Sequence, residues 1–451
     1  MSDDNRSLSA TAAVAHCDAA AAWRWIPTLY IAEGLPYFAV NTLTILMYIN
    51  MGIDKSDMAF LTGWLYLPWV IKPFWSPFID LFSTKRRWAI TMQLLIAVCM
   101  ACVAFLLPFP FYLTSTLICF WLMAFFSATH DIAADGYYML ALTPHDQAAF
   151  VGVRSTFYRV ASVLGQGGLV MLAGHLEQTM SSVGRAWSMV FALLSVLFLL
   201  MALWHSRMMP PVTSDHAEPG VTARTIVRDF ADTFVTFFRR PGIAGALAFM
   251  LLYRLPEALC VKFVPVFLVA PRKAGGLALT TAQVGWVNGT VGVIALLAGG
   301  ITGGLAIAAG GLRRWLWPMA LSLTLPCALY CWLALVQPDS FLSVNIAIGI
   351  EQFGYGFGFT AFMLYLLYFS RGDCATSHYA FCTAFMALGM MLPGMAAGAV
   401  FDLLAPLDLL TPPCGERGFF NFFCGVMLCC LPTFVVCSLV HIDPSFGRKK
   451  D

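Results

Sequence analysis

Residues 112–142 read YLTSTLICFWLMAFFSATHDIAADGYYMLAL, an apolar run interrupted by His130, Asp131 and Asp135. A helix crosses the hydrocarbon core with about 20 mainly apolar residues, and this run exceeds that length. A charge inside such a span costs about 2.5–3.5 kcal/mol on insertion scales and is kept where it faces a cavity or a partner. The stretch therefore predicts a transmembrane helix with one face turned to a hydrated interior.

Working outward, similar runs recur at 26–50, 58–81, 88–110, 149–174 and 186–205. After a polar interval they return at 242–270, 280–308, 314–336, 340–370, 376–402 and 418–441. The hydrophobicity is continuous within each run, whereas barrel strands would alternate over about ten residues. The expected fold is an all-α polytopic membrane protein of about 12 transmembrane helices in two six-helix halves, 23–205 and 242–443. Residues 206–241 form a cytoplasmic linker, in which Ile226, Phe230, Phe234 and Phe237 share a helical face and predict a short interfacial helix. Residues 1–22 read as a flexible cytoplasmic tail without signal-peptide features, and 444–451 as a basic cytoplasmic tail.

Composition supports this and excludes other classes. Of 451 residues, 60% are hydrophobic and 11% charged, with a formal net charge of +2; a soluble domain carries about 25% charged residues. The basic footprint of a nucleic-acid binder is missing. The 14 cysteines show no paired zinc-ribbon spacing, so neither a metal nor another cofactor is implied. Loop charge sets orientation. With the N-terminus inside, sixteen Lys and Arg lie on the cytoplasmic side and five (Lys55, Arg185, Arg272, Lys273 and Arg417) lie opposite. Both termini are expected in the cytoplasm, in a bacterial inner membrane, with the chain a monomer in the bilayer.

Function is read from the charges kept in the spans: Glu33, Lys72, Asp131, Asp135, Arg159, Arg254, Glu257, Lys262 and Glu351. Asp131 and Asp135 share a helix face at i,i+4, with about 5–6 Å between their Cβ atoms. A crowded carboxylate pair suits proton coupling, and Glu33, beside Gly34 and Pro36, joins it as a candidate. The competing reading is a set of ion pairs to Arg154 or Arg159, which lie about 140° apart on the fifth span, so that one of them faces the aspartates. Lys72, Arg159, Arg254, Glu257, Lys262 and Glu351, with the aromatics Tyr37, Tyr137 and Tyr355, are the candidate substrate contacts; Arg254 and Glu257, at i,i+3, pair with each other in the alternative. Asp80 followed by Lys85, Arg86 and Arg87 is a candidate gate at the second-to-third-helix turn, or a positive-inside anchor. His130 and Asp135 also match the H-x-x-x-x-D spacing of glycerolipid acyltransferases, a weaker enzymatic alternative.

Three motifs carry a family resemblance: Tyr30-Ile-Ala-Glu33-Gly34-Leu35-Pro36, Leu67-Pro68-Trp-Val-Ile-Lys72-Pro-Phe-Trp75-Ser76-Pro77-Phe-Ile-Asp80, and Ala128-Thr129-His130-Asp131-Ile132-Ala-Ala-Asp135-Gly136-Tyr137. They resemble AmpG-type muropeptide permeases, grouped with the peptide–acetyl-coenzyme A transporters of the major facilitator superfamily. The two-half plan, with a site at the midplane between halves, agrees. The resemblance implies proton-driven import of anhydro-muropeptides and no enzymatic activity, with Asp131 and Asp135 matching the family's acidic pair. His130 stands where the family commonly has glutamine, and Ala134 and Gly136 also depart from it. A single amino sugar, or export of another amphipathic acid, stays open as an alternative cargo or direction.

Overall fold

The computed structural model describes residues 17–180, 182–213, 215, 223–371, 375–407, 416, 418–444 and 446. The first half comprises α1 (26–50), α2 (55–82), α3 (Lys85–Leu106), α4 (Tyr112–Ala141), α5 (144–179) and α6 (Val183–Met208). The linker contributes α7 (Ala223–Phe238). The second half comprises α8 (Ile243–Val269), α9 (Thr281–Gly310), α10 (Leu312–Val336), α11 (Phe341–Phe369), α12 (Ala375–Leu404) and α13 (Gly418–Leu439). Among the described residues, nine helical segments are long and apolar enough to cross a membrane. The three long helices that fall short are α2, α5 and α11. They carry Lys72, Arg154 with Arg159, and Glu351, so polarity is concentrated where the cavity needs it.

Outward-facing positions such as Ile301, Leu305, Leu342 and Leu403 are exposed, the apolar belt a bilayer covers. The helix ends are fastened by local chemistry. Thr84 caps α3 by accepting from the Arg87 N–H at 3.2 Å, and the Asp215 carboxylate accepts from the N–H groups of Lys85 and Arg86 at 2.7 and 3.0 Å. Helix N-termini favour such anions because their first N–H groups lack intrahelical acceptors.

The helices that surround the interior are interrupted at similar depth. In α1, Pro36 removes one backbone donor, and the next turn, Ala39–Leu43, is a π-turn. There Asn41 Nδ2 donates to the Tyr37 carbonyl at 3.0 Å. In α5 and α9 the π-turns are Val163–Leu169 and Gly285–Gly292. In α8 the helix breaks at Tyr253–Arg254, just before Pro256. Such π-turns insert a residue and re-aim the side chains beside them; here they turn Asn41, Gln166 and Asn288 inward.

The two halves touch most closely at the end remote from the linker. Gly167 of α5 faces Gly289 of α9, and Gly174 faces Ala282, leaving no room for a Cβ at Gly289 or Gly174. Gly63 of α2 packs on Met395 of α12, and Gly398 on Ser56. A polar clasp joins the same end: Asn50 Nδ2 donates to Glu177 Oε1 (2.8 Å) and to Thr281 Oγ1 (2.9 Å), Thr281 Oγ1 donates to Glu177 Oε2 (2.6 Å), and Trp187 Nε1 donates to Glu177 Oε1 (2.7 Å). Lys55 lies over the rings of Phe401 and Phe419, 4.8 and 4.7 Å from their centroids.

At the linker end, α7 is more than an interfacial helix. Its Phe230 packs on Phe74 of α2 and Phe381 of α12, and Phe237 is fully buried against Phe381 and Phe385. It thereby contacts both halves, while Val227, Phe234, Val235 and Phe238 stay exposed. The side chain of Ile226, expected on the same face, lies outside the described residues.

Candidate substrate cavity

Between the halves lies a cavity of about 620 Å³. The first half lines it with Tyr30, Glu33, Tyr37, Asn41, Arg154, Tyr158, Arg159 and Gln166; the second with Arg254, Glu257, Asn288, Tyr330, Glu351, Gln352 and Tyr355. The lining begins near the linker end, at Tyr30, Arg154 and Met363, and stops at Ile45, Gln166 and Pro265, beneath the glycine contacts of the far end. Its volume is within the range of about 300–1,000 Å³ typical of small-ligand sites.

The acidic stretch of α4 meets two cations, one per aspartate. Asp131 pairs with Lys72 of α2. Asp135 Oδ1 lies 2.8 Å from Arg154 Nη2 and accepts from the Tyr30 hydroxyl at 3.0 Å. The Arg154 guanidinium also stacks over Tyr30, 4.6 Å from the ring centroid. These pairs are not sealed: Lys72 and Asp131 keep 30% and 20% of their side-chain surface accessible, Arg154 and Asp135 29% and 37%. The i,i+4 spacing stacks the two carboxylates, and each also has a cation beside it.

Glu33 of α1 is the carboxylate left over. It lies against Asp131 and Asp135, and its Oε2 is buried without a hydrogen-bond partner. On the same wall Arg159 lines the cavity and makes no ion pair or hydrogen bond to any described residue. Of the two arginines on α5, Arg154 is the one that reaches the aspartates. Of the charged first-half residues that line the cavity, Arg154 is committed to Asp135, Glu33 bonds to Asp131 but meets no cation among the described residues, and Arg159 meets no anion among them.

The second-half wall differs. Arg254 binds Glu257 with two bonds, Nε to Oε2 at 2.7 Å and Nη2 to Oε1 at 2.8 Å, and donates to the Tyr355 hydroxyl at 2.8 Å. A bidentate geometry of this kind satisfies both carboxylate oxygens. Arg254 and Glu257 border the cavity as a neutral unit. Glu351 accepts from Tyr330 and Gln352, each at 2.8 Å and each on Oε2.

Three expected contacts, Lys72, Lys262 and Tyr137, are absent from the lining, and Lys72 instead pairs with Asp131. Lys262 is outside the cavity: it is 1% exposed at the seam between halves, where it donates to Thr62 Oγ1 at 2.9 Å and lies beneath the Tyr66 ring. Its position on α8 faces α2 and α12, not the interior, because the break before Pro256 sets the rotation of the second segment of that helix. Tyr137 is also absent from the lining. It is fully buried against Trp25 and donates to the Pro210 carbonyl at 2.7 Å. Tyr37 and Tyr355 do line the cavity.

Of the gate residues, the Asp80 side chain lies outside the described residues. Arg86 donates to the carbonyls of Met209 and Ser206, both at 2.6 Å, tying α3 to the end of α6 within the first half. The Arg87 N–H serves the Thr84 cap, and the aliphatic stem of Lys85 covers Gly136. His130 makes no bond to Asp135. Its Nε2 is 2.8 Å from Gln93 Nε2, and Gln93 Oε1 is 2.9 Å from His205 Nδ1, whose Nε2 is 2.9 Å from Thr28 Oγ1. This buried string binds α4, α3, α6 and α1 together and is no acid–base pair. Sequence reading passes over Asn41, Gln166, Asn288 and Tyr330; their signal is polarity inside spans and, for the amides, nearby glycine or proline.

Residues 28–397 match the family model described as Major Facilitator Superfamily. The chain is 25% identical over 378 residues to the "Anhydromuropeptide permease" of Escherichia coli (strain K12), covering 82% of this chain and 72% of that protein. It is 23% identical over 404 residues to the "Putative transporter AmpG 4" of Rickettsia conorii, covering 87% and 91%. Among solved structures, the bacterial homolog of the human lysosomal transporter Spinster matches with TM-score 0.67 at 12% identity, covering 93% of this chain and 96% of that one. Tetrameric PepTSo2 matches with TM-score 0.68 at 13% identity, covering 94% and 98%. The family match, the two-half helical fold and the polar cavity between the halves together make this chain a transporter of the Major Facilitator Superfamily.

Proposed function

We propose that this protein is a proton-coupled secondary transporter that imports anhydro-muropeptides or related muramyl sugars across a bacterial inner membrane, as a monomer with both termini cytoplasmic. The observation that carries this reading is the pairing of one surplus carboxyl, Glu33, with one surplus cation, Arg159, on the same cavity wall. The names borne by the E. coli and Rickettsia relatives supply the cargo class.

The mechanism follows from charge. With Asp131 and Asp135 each holding a cation, Arg159 is, among the described first-half residues lining the cavity, the cation able to replace the water of a cargo carboxylate. Once Arg159 is neutralised by cargo, Glu33 is left as an uncompensated charge in the bundle, and a proton on Glu33 removes it. Anion and proton therefore favour each other's binding, and the coupling is reciprocal. One proton carried inward with one cargo carboxylate transfers no net charge, so accumulation follows the pH gradient, about tenfold per unit of pH at about 1.4 kcal/mol per decade.

The cavity lies toward the linker end while the far end is shut by the clasp of Asn50, Glu177 and Thr281. Placing the arginine-rich linker end in the cytoplasm makes this an inward-facing conformation, from which cargo and proton leave together. Lys85 and Arg86, held to Asp215 and α6, then belong to the hinge side of the inner gate.

Proteoliposomes test this directly. Wild-type protein should concentrate a labelled anhydro-muropeptide only when the outside is made acidic. Glu33→Gln should lose concentrative uptake by tenfold or more while retaining counterflow. If Glu33→Gln still accumulates cargo in response to the pH gradient, the coupling residue is elsewhere. If wild type moves no muropeptide under any gradient, the cargo assignment is wrong.

A further inference from the structure

Glu351 is the second carboxylate of the cavity that no cation among the described residues neutralises. It is 6% exposed, on α11, and lines the same cavity as Arg159 of α5. Both of its hydrogen bonds, from Tyr330 and Gln352, fall on Oε2, which leaves Oε1 without a donor among the described residues. Unlike Glu33 Oε2, that oxygen is not enclosed by protein. Its charged neighbour is another carboxylate, Glu257, already saturated by Arg254. A buried carboxylate oriented by two donors and left open on one oxygen is an acceptor waiting for a cation.

Arg159 lines the same cavity and has no anionic partner among the described residues. The interior is consequently polarised, positive on α5 and negative on α11, with the neutral Arg254–Glu257 unit and the hydroxyls of Tyr37 and Tyr355 along its walls. A simple anion would leave Glu351 bare, and a simple cation would leave Arg159 bare. A dipolar molecule satisfies both at once.

We infer that Glu351 is the recognition site for a primary ammonium group of the cargo, so that the cavity selects zwitterions carrying a carboxylate and a free amine over acids that lack the amine. This rests on the importer reading for the meaning of Arg159. Tyr330 and Gln352 are positioning residues: they hold the Glu351 carboxylate in one rotamer with Oε1 toward the cavity. The site discriminates because an acylated amine can neither neutralise Glu351 nor fill its open acceptor, and burying a charge unpaired is penalised.

The test compares two probes on purified protein. One is an anhydro-muropeptide whose peptide bears a free side-chain amine, and the other is the same molecule acetylated at that amine. Equilibrium binding is measured in detergent and concentrative uptake in proteoliposomes. Wild type should bind the free amine at least tenfold tighter, and Glu351→Gln should reduce that ratio to near one, weakening the free-amine probe and relieving the penalty on the acetylated one. Tyr330→Phe, which retains the carboxylate, should narrow the ratio without erasing it, and serves if Glu351→Gln does not fold. Equal wild-type affinity for both probes overturns the inference, as does an equal loss of both in Glu351→Gln. Discrimination in binding without concentrative uptake sustains the amine site and removes the importer reading. Uptake without discrimination does the reverse, and binding of neither probe removes both.

Discussion

Arg154 Nη2 sits 2.8 Å from Asp135 Oδ1 while its guanidinium covers the ring of Tyr30, whose hydroxyl donates to the same Asp135 oxygen. One arginine of α5 is thereby fixed in an α1–α4–α5 triangle, and Arg159, five residues on, is left to the cavity. The division of labour between these two arginines turns an acidic stretch into a wall with a single surplus proton site.

The Lys72–Asp131 pair should behave as a unit. Lys72→Met or Asp131→Asn alone leaves one charge in the bundle without its partner and should destabilise the protein by about 1–3 kcal/mol, less than a sealed pair because both side chains are partly accessible. The double variant should recover most of that loss, giving a coupling energy of about 1–2 kcal/mol in thermal unfolding. Additive losses would mean that the two side chains do not stabilise one another.

Arg159→Gln should raise the apparent KM for an acidic muropeptide about tenfold or more and leave a neutral amino sugar within about twofold. A charge-assisted bond to a carboxylate is worth about 1.5–3 kcal/mol, and the neutral sugar does not make it. Parallel loss for both cargoes in uptake assays would make Arg159 structural.

The far-end clasp should report on opening. Thr281→Val removes the hydroxyl that ties α9 of the second half to Asn50 and Glu177 of the first, leaving polar groups unmatched at about 1–3 kcal/mol. Hydrogen–deuterium exchange at 170–179 and 281–292 should accelerate by about tenfold. Unchanged exchange would show that the glycine contacts alone hold this end shut.

Lys262→Met should leave the melting temperature unchanged or raise it. The lysine is enclosed at the seam with Thr62 as its hydrogen-bond acceptor, and no carboxylate among the described residues is paired with it. Replacing an isolated buried cation with an apolar chain of similar volume removes a desolvation penalty. A fall of several degrees would reveal a counterion supplied in another conformation.

Much of this protein is legible along the chain because bilayer insertion is a local criterion. Length, hydropathy and the loop bias of Lys and Arg act on each segment by itself, so helix positions and the two-half plan follow from the sequence, to within a few residues at the ends of α5. Charges inside spans likewise announce a polar interior, whatever packs around them. Which charge serves which purpose is another matter. Arg154 and Arg159 are equivalent by composition, and only the packing of α1 and α4 against α5 commits the first to Asp135 and frees the second. The same holds for Lys262, polar by sequence yet turned into the seam by the break at Arg254, and for Glu177, which gains its meaning from partners 127 and 104 positions away. Insertion energy is summed residue by residue, whereas pairing depends on helix rotation and the contact between halves, which arise only when the two halves close on one another.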